Sequence, residues 1–216
     1  MSISDIFDFL KMLDTELYSY IKQFGIMIYV ILFAVVFSKT AFVLLTFLPG
    51  DSLVFASGTL AAIEKLNITA LFFIFFFAAI LGDSQNYFIG KTINKMRLSD
   101  SWLVRFMPES AITQAKKFIE DYDRVAITFS RFVPLMRTMT PFISGYTGYS
   151  YLKFIRYNVI GALLWTAIWL VTGYALGNIK WVAENLLLTL TLITIVVFIP
   201  TLYAYFSQMV RNRKLV

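Results

Sequence analysis

The sequence contains no cysteine and no histidine, and only 15% of its 216 residues are charged. The lack of cysteine excludes disulfides, thiol catalysis, zinc–thiolate sites and iron–sulfur clusters, and it leaves the redox compartment unreadable. The lack of histidine excludes a Ser-His-Asp triad and leaves carboxylates, lysine, tyrosine or water for any proton relay. No cluster of carboxylates suits a metal, so we expect no metal, no cofactor and no enzymatic activity.

Charge is scarce because the chain is apolar. Hydrophobic residues make up 59% of the sequence, whereas a soluble domain carries about 25% charged residues. This composition predicts an integral membrane protein that forms one membrane domain over residues 1–216. The net charge of +6 is typical of basic cytoplasmic loops. No basic run with interleaved aromatics lies in a soluble segment, so we expect no nucleic-acid partner.

Two apolar stretches are interrupted before they are long enough to cross a bilayer. The first extends from residue 26 to Leu48, with Ser38-Lys39-Thr40 inside it, and the second surrounds a segment from Arg131 to Arg137. A bilayer core needs about 20 apolar residues in one helix. Broken helices at membrane depth are tolerated where they line a cavity or lie within protein. We therefore predict two re-entrant helical hairpins, with breaks at Pro49, Gly50, Ser52, Pro134 and Pro141.

The rest of the chain divides into helices and one soluble stretch. We predict an amphipathic N-terminal helix in residues 1–25, repeat unit one in 26–90, a linker with an amphipathic helix in 91–124, repeat unit two in 125–177, and a C-terminal spanning helix in 181–209. Asn67 or Thr69 is expected to cap the spanning helix of unit one, which extends to about Gly90. The spanning helix of unit two is expected from about Tyr151 to Gly177. The linker and the tail are rich in lysine and arginine, so both are expected to be cytoplasmic.

Short matches within the sequence indicate an internal repeat. Phe55-Ala56-Ser57-Gly58 matches Phe142-Ile143-Ser144-Gly145, and Tyr87-Phe88-Ile89-Gly90 matches Tyr174-Ala175-Leu176-Gly177, with 87 residues between the members of each pair. Because one spanning helix separates the two hairpins, the second unit is expected to be inverted. The predicted fold class is an all-α integral membrane protein: an inverted repeat of re-entrant hairpin plus spanning helix, with an additional helix at each end.

Charged residues at the hairpin breaks are the candidate substrate-binding groups. Arg131 and Arg137 flank Pro134, and a guanidinium group binds phosphate oxygens bidentately. Asp51 alone is explained by a helix N-cap, but at membrane depth we expect it to pair with the arginines and to yield to a phosphate, so that its protonation couples a proton to transport. Lys39 could pair with Asp51, bind the anion, or extend to the membrane surface.

Three further polar residues are expected to support the site. Asp83 and Asn86 are typical of a polar end of the first spanning helix, and Asn158 of a hydrogen bond between helices. Trp165 is interpreted first as a packing residue or part of an interfacial aromatic belt.

Four stretches carry a resemblance to a known family: Phe47–Leu53, Gly82–Gly90, Arg131–Gly145 and Tyr157–Trp165. Through them the chain resembles the DedA family of bacterial inner-membrane proteins, related to the VTT-domain lipid scramblases. The resemblance implies two opposed re-entrant hairpins, transport of phospholipid-like substrates, dependence on the proton-motive force, and functional roles for Asp51, Arg131 and Arg137. Many members carry a glutamate where this chain has Lys39, so the lysine removes that candidate for proton coupling or shifts the coupling to Asp51.

Together these features predict a multi-pass transporter of the bacterial cytoplasmic membrane whose partners are a lipid phosphate and the bilayer. Recycling of undecaprenyl phosphate, with proton coupling left open, is the function that the resemblance favours. A phospholipid scramblase and a proton- or cation-coupled transporter of a small solute are the alternatives. An enzyme that acts on a lipid phosphate and an assembly protein are two further alternatives. A homo-oligomer is left open.

Overall fold

The computed structural model describes residues 24–42, 45, 50–95, 113, 117, 119, 125–133, 136–185 and 188–189, and the regular structure in them is helical. The helices are α1 (Met27–Ala41), α2 (Gly50–Ala62), α3 (Ile68–Lys95), α4 (Met136–Tyr146), α5 (Tyr151–Gly177) and α6 (Lys180–Glu184). Residues 125–129 are also helical and lead into a 3-10 turn over Ser130–Phe132. The all-α prediction is confirmed for this part of the chain.

Two of the helices, α3 and α5, are long and apolar enough to cross a membrane. They contain 28 and 27 residues, or about 40 Å at 1.5 Å per residue, against a hydrocarbon core of about 30 Å. Helix α5 has the bounds that the sequence predicted. Helix α3 begins after Asn67, whose side-chain oxygen accepts a hydrogen bond of 3.0 Å from the Ala70 N–H, and it ends at Lys95, later than predicted.

The helices α1, α2 and α4 are too short to cross a membrane. Helices α1, α2 and α4 contain 15, 13 and 11 residues, or roughly 16–22 Å. Helix α1 lies along the first half of α3: the Tyr29 hydroxyl accepts a bond from the Asn67 N–H at 2.8 Å, and Gly82, near the middle of α3, faces Thr40. The last turn of α1 therefore lies at mid-length of a spanning helix.

Helix α2 packs on α5, and α4 packs on α3. Glycines make both approaches close. A Cβ atom on Gly58 would lie less than 3.0 Å from the Leu170 carbonyl oxygen, and one on Gly145 less than 3.0 Å from the Tyr87 carbonyl oxygen. Backbones that approach through small residues are typical of helix packing in membranes. Trp165, which is fully buried, lies in the core that joins α1, α2, α3 and α5.

One predicted break is wrong, and several predictions fall outside the described residues. Pro141 lies inside α4 rather than at a break; having no N–H, it cannot donate to the carbonyl of Arg137, one turn earlier. Gly50 and Ser52 lie in the first turn of α2. Pro49, Pro134, most of the N-terminal helix, most of the linker and most of the 181–209 helix lie outside the described part of the chain.

Candidate functional site

Charged side chains lie buried where the short helices reach the middle of the spanning helices. Lys39, Arg131, Arg137 and Asp83 are all buried, and the Asp51 side chain is 23% exposed. Charge at such a depth is costly unless it is paired or binds a ligand. Three cations against two carboxylates leave one net positive charge in this group, which favours an anion.

The first cluster joins α2, α4 and α5. Arg137, in the first turn of α4, forms a salt bridge of 2.5 Å with the Asp51 carboxylate of α2. The indole N–H of Trp165 donates to the same carboxylate oxygen at 2.8 Å. The Arg137 guanidinium carbon also lies 4.5 Å from the centroid of the Trp165 ring, a cation–π contact. Trp165 therefore holds both members of the ion pair, a role that its sequence position did not indicate.

Lys39 lies against this cluster from the last turn of α1. A Cβ atom on Gly50 would come within 2.7 Å of Lys39 Cδ and 2.8 Å of its Nζ, so the glycine leaves the space that the lysine occupies. Lys39 and Arg137 both attract the Asp51 carboxylate electrostatically. Because Lys39 is buried, the prediction that it could extend to the membrane surface is wrong, whereas pairing with Asp51 and anion binding both stay open.

The second cluster joins the 3-10 turn to both spanning helices. One terminal nitrogen of Arg131, Nη2, donates to Asp83 of α3, to the Asn158 side-chain oxygen of α5 at 2.5 Å, and to the Ala79 carbonyl at 3.4 Å. The expected partner of Arg131 was Asp51; the structure pairs it with Asp83 instead. Asp83 is thus a buried ion-pair residue at mid-helix and not a polar helix end. Asn158 does bond between helices, as predicted, since its amide also donates to the Ile80 carbonyl at 3.5 Å.

The signal for Asp83 was present in the sequence. Ala79, Asp83, Asn86 and Gly90 follow one another at spacings of four, three and four residues, which places them on one face of α3. An acidic residue sixteen positions into a 28-residue apolar helix cannot be at its end. Asn86 connects α3 to α4. It is fully buried, and its amide donates to the Thr138 carbonyl of α4 at 2.8 Å.

Several nitrogens of the two arginines, and two threonine hydroxyls of α4 and α5, donate no hydrogen bond to any described residue. Nε and Nη2 of Arg137, Nε and Nη1 of Arg131, and the hydroxyls of Thr140 and Thr166 are buried without a hydrogen-bond partner among the described residues. Buried polar groups normally have partners, so these donors fit a bound anion or water. A phosphate group, with several terminal oxygens, matches a guanidinium fork. No group of three carboxylates that could hold a metal occurs in the described part of the chain.

The position of Arg137 supports the same chemistry. A cation in the first turn of a helix is opposed by the helix dipole, which favours anions at that end. Asp51 supplies the compensating negative charge, and it lies in the first turn of α2, where a carboxylate is favoured. The beginnings of two helices thus face one ion pair, and an incoming anion would take the place of the carboxylate.

Comparisons with known proteins give one family match and several similar relatives. The VTT domain profile matches residues 48–175. The chain is 36% identical over 197 residues to Protein DedA of Escherichia coli K12, covering 90% of both chains. It is 35% identical over 170 residues to the uncharacterized membrane protein ML0287 of Mycobacterium leprae, covering 79% of this chain and 76% of that one. It is 30% identical over 152 residues to the inner membrane protein YqjA of Escherichia coli K12, covering 70% and 69%. No solved structure matches significantly.

Proposed function

The chain belongs to the VTT-domain (DedA) family of membrane proteins, and we propose that it carries the phosphate head of a membrane lipid across the bacterial cytoplasmic membrane. Undecaprenyl phosphate is the substrate that we favour. The observation that carries the proposal is the environment of Arg137. Its buried guanidinium lies in the first turn of α4, forms a salt bridge with one carboxylate, and has two nitrogens without a hydrogen-bond partner among the described residues.

We propose that the helices form two opposed re-entrant hairpins related by an inverted repeat. The short lengths of α1, α2 and α4 support this. The last turn of α1 lies near Gly82 and the first turn of α2 lies near Trp165, both in the middle of the long helices, which also supports it. The packing supports it too. Gly145 lies against Tyr87 and Gly58 against Tyr174, and 87 residues separate the two glycines and the two tyrosines alike. The second helix of each hairpin thus packs on the spanning helix of the other unit.

In the proposed mechanism, the lipid phosphate exchanges with Asp51 at Arg137. In the unloaded state Asp51 neutralises Arg137. The phosphate oxygens then replace the Asp51 carboxylate as the acceptors of the guanidinium hydrogen bonds. Trp165 keeps its bond to the displaced carboxylate, and Lys39 offsets the added negative charge. The hairpins shield the head group from hydrocarbon and the lipid tail stays in the bilayer. No covalent bond is made or broken, so the residues need only bind and release an anion.

A translocation assay tests the proposal. Purified protein is placed in liposomes that contain a fluorescent short-chain polyprenyl phosphate, and the fraction accessible from outside is followed with time. We expect translocation to fall about 10-fold or more in Arg137→Ala, since hydrogen bonds to charged groups contribute about 1.5–3 kcal/mol. Arg156→Ala, at an exposed position of α5, is the matched control and should behave as wild type.

The outcome that contradicts the proposal is equally defined. Wild-type rates in Arg137→Ala would exclude Arg137 as the head-group ligand. Equal movement of zwitterionic phospholipid and polyprenyl phosphate would favour a scramblase, and movement of a water-soluble anion without a lipid tail would favour a transporter of small solutes.

A further inference from the structure

Two buried oxygen atoms on one face of α3 have no hydrogen-bond donor among the residues that the structure describes. Oδ2 of Asp83 is paired with Arg131, but Oδ1 has no hydrogen-bond partner among the described residues. Asn86, one turn later, has an unpartnered Oδ1 as well. The orientation of that amide is fixed, because its nitrogen donates to the Thr138 carbonyl. Asp83 is 2% exposed and Asn86 0%, so bulk water does not supply the missing donor.

A proton satisfies both atoms. Residues three apart on a helix are neighbours, and Asp and Asn side chains at this spacing can bond to each other. A protonated Asp83 becomes a donor through its O–H and can bond to the Asn86 oxygen, whereas the ionised form leaves two acceptors side by side. The pair of unsatisfied oxygens therefore marks a position where a proton can be held.

We propose that Asp83 binds the proton that is coupled to transport, and that its protonation releases Arg131 to the substrate anion. This inference rests on the proposed function. The carboxylate takes up one proton and becomes a neutral acid, so the ion pair with Arg131 loses its attraction. The guanidinium, which already has unused Nε and Nη1 donors, then faces the phosphate as a free cation. When the anion leaves, Asp83 gives up its proton and pairs with Arg131 again.

The groups around Asp83 fit this role. Arg131 of the 3-10 turn and Arg137 of α4 both act on its charge. From α1, Lys39 lies in the turn whose Thr40 faces Gly82. Helix α5 contributes the neutral Asn158 beside Arg131 and the Tyr151 hydroxyl, which donates to Ser84 at 3.2 Å, while α2 contributes Asp51. No second carboxylate contacts Asp83 among the described residues.

Asp51, the carboxylate that the sequence favoured for coupling, is less suited. One of its oxygens receives both the Arg137 guanidinium and the Trp165 indole, and Lys39 adds a second cation. Its side chain is also the more exposed, at 23% against 3% for Asp83. The ionised form of Asp51 is therefore better supported than that of Asp83, which shares its single contacting cation with Asn158.

Translocation with and without a pH gradient tests the inference. Wild-type protein in liposomes should move polyprenyl phosphate several-fold faster when the side that supplies the lipid is acidic. Asp83→Asn mimics the neutral acid and should move the lipid at a rate that no longer responds to the gradient, and Asp83→Glu should restore the response. An unchanged gradient response in Asp83→Asn would overturn the inference.

A second measurement covers the case in which Asp83→Asn does not fold. Calorimetry in detergent, in buffers of different ionisation enthalpy, counts protons taken up when the protein binds a short prenyl sulfate, whose head group does not titrate near neutral pH. Wild type should take up about one proton per ligand. Arg131→Gln removes the one cation among the described residues that contacts Asp83, so Asp83 should already be protonated before the ligand binds. This variant should therefore take up no proton, and neither should Asp83→Asn.

The possible results separate the two proposals. Ligand binding without proton uptake in wild type, or uptake that persists in either variant, would overturn the role of Asp83 while leaving lipid transport intact. Absence of any lipid movement or ligand binding by wild-type protein would instead overturn the proposed function.

Discussion

Gly145→Ala tests whether the close contact between α4 and α3 positions the site. The new Cβ atom would lie less than 3.0 Å from the Tyr87 carbonyl oxygen, and it has to move to 3.4 Å or more for ordinary contact. A backbone oxygen cannot rotate aside, so α4 has to move away from α3. The hydrogen bond from Asn86 to the Thr138 carbonyl, 2.8 Å long, is lost if that displacement approaches about 1 Å.

The size of the effect follows from these contacts. Overpacking costs about 1–3 kcal/mol, and breaking a buried hydrogen bond leaves an amide and a carbonyl unsatisfied at about 1–3 kcal/mol. The higher helix propensity of alanine offsets about 1 kcal/mol. We expect a net loss of roughly 1–5 kcal/mol in the free energy of unfolding. Arg137 adjoins Thr138, so its salt bridge with Asp51 should weaken and translocation should fall with stability.

Equilibrium unfolding in bicelles, with translocation measured in parallel, provides the assay. Gly50→Ala is the matched control for stability, because the three described atoms nearest to its Cβ atom all belong to the flexible end of Lys39, at 2.7–3.2 Å. That side chain can move, so we expect a change in unfolding free energy of less than about 1 kcal/mol in the control. If Gly145→Ala and Gly50→Ala prove equally stable, the argument that backbone contact positions α4 is refuted.

Three further tests address the clusters. Trp165→Phe removes the indole N–H bond to Asp51 and should lower affinity for a prenyl phosphate about 10-fold. Trp165→Leu also removes the cation–π contact with Arg137 and should bind more weakly still. Equal binding by both variants would contradict the role of Trp165 as a contact of both Asp51 and Arg137. In a double-mutant cycle of Arg131→Gln and Asp83→Asn, the unfolding free energies should be non-additive by more than about 1 kcal/mol, and additivity would argue against a buried pair. Lys39→Glu should weaken binding at least 10-fold, Lys39→Met should be intermediate, and an unchanged affinity in both would remove Lys39 from the site.

Much of the fold follows from the sequence because membrane helices have strong, simple signals. Length and hydropathy predict α5 from about Tyr151 to Gly177, with both ends correct. The sequence offers Asn67 or Thr69 as the cap of α3, and the structure shows that it is Asn67. The later end of α3, at Lys95, was missed because a basic helical segment was interpreted as the start of the linker. Charge alone does not end a helix when no proline or glycine follows.

The pairing of the charges could not be predicted in the same way. Sequence gives the approximate depth of a residue in the membrane, but not the direction in which its side chain points around the helix axis. Arg131 and Arg137 are six residues apart, and the segment between them includes a 3-10 turn that directs one to Asp83 and the other to Asp51. Likewise, the role of Trp165 depends on how α5 is rotated against α2.

The two arginine pairs connect different parts of the molecule, and this difference leads to a final prediction. The Arg131–Asp83 pair joins the 3-10 turn to α3, whereas the Arg137–Asp51 pair joins α4 to α2. An anion that replaces Asp51 at Arg137 therefore removes a direct bond between α4 and α2. Because α2 packs on α5 and α4 packs on α3, we expect ligand binding to let α2 and α4 separate, as alternating access requires.

The sequence lacks cysteine, so spin labels can be placed uniquely at Lys65→Cys and Thr147→Cys, both at exposed positions just after α2 and α4. Double electron–electron resonance should show a changed or broadened distance distribution when a prenyl phosphate is added. The same labelled pair in Arg137→Ala should show no response to ligand, since the bond that the anion replaces is already absent. If the distance distribution stays the same in the otherwise wild-type protein at saturating ligand, anion binding does not separate α2 from α4.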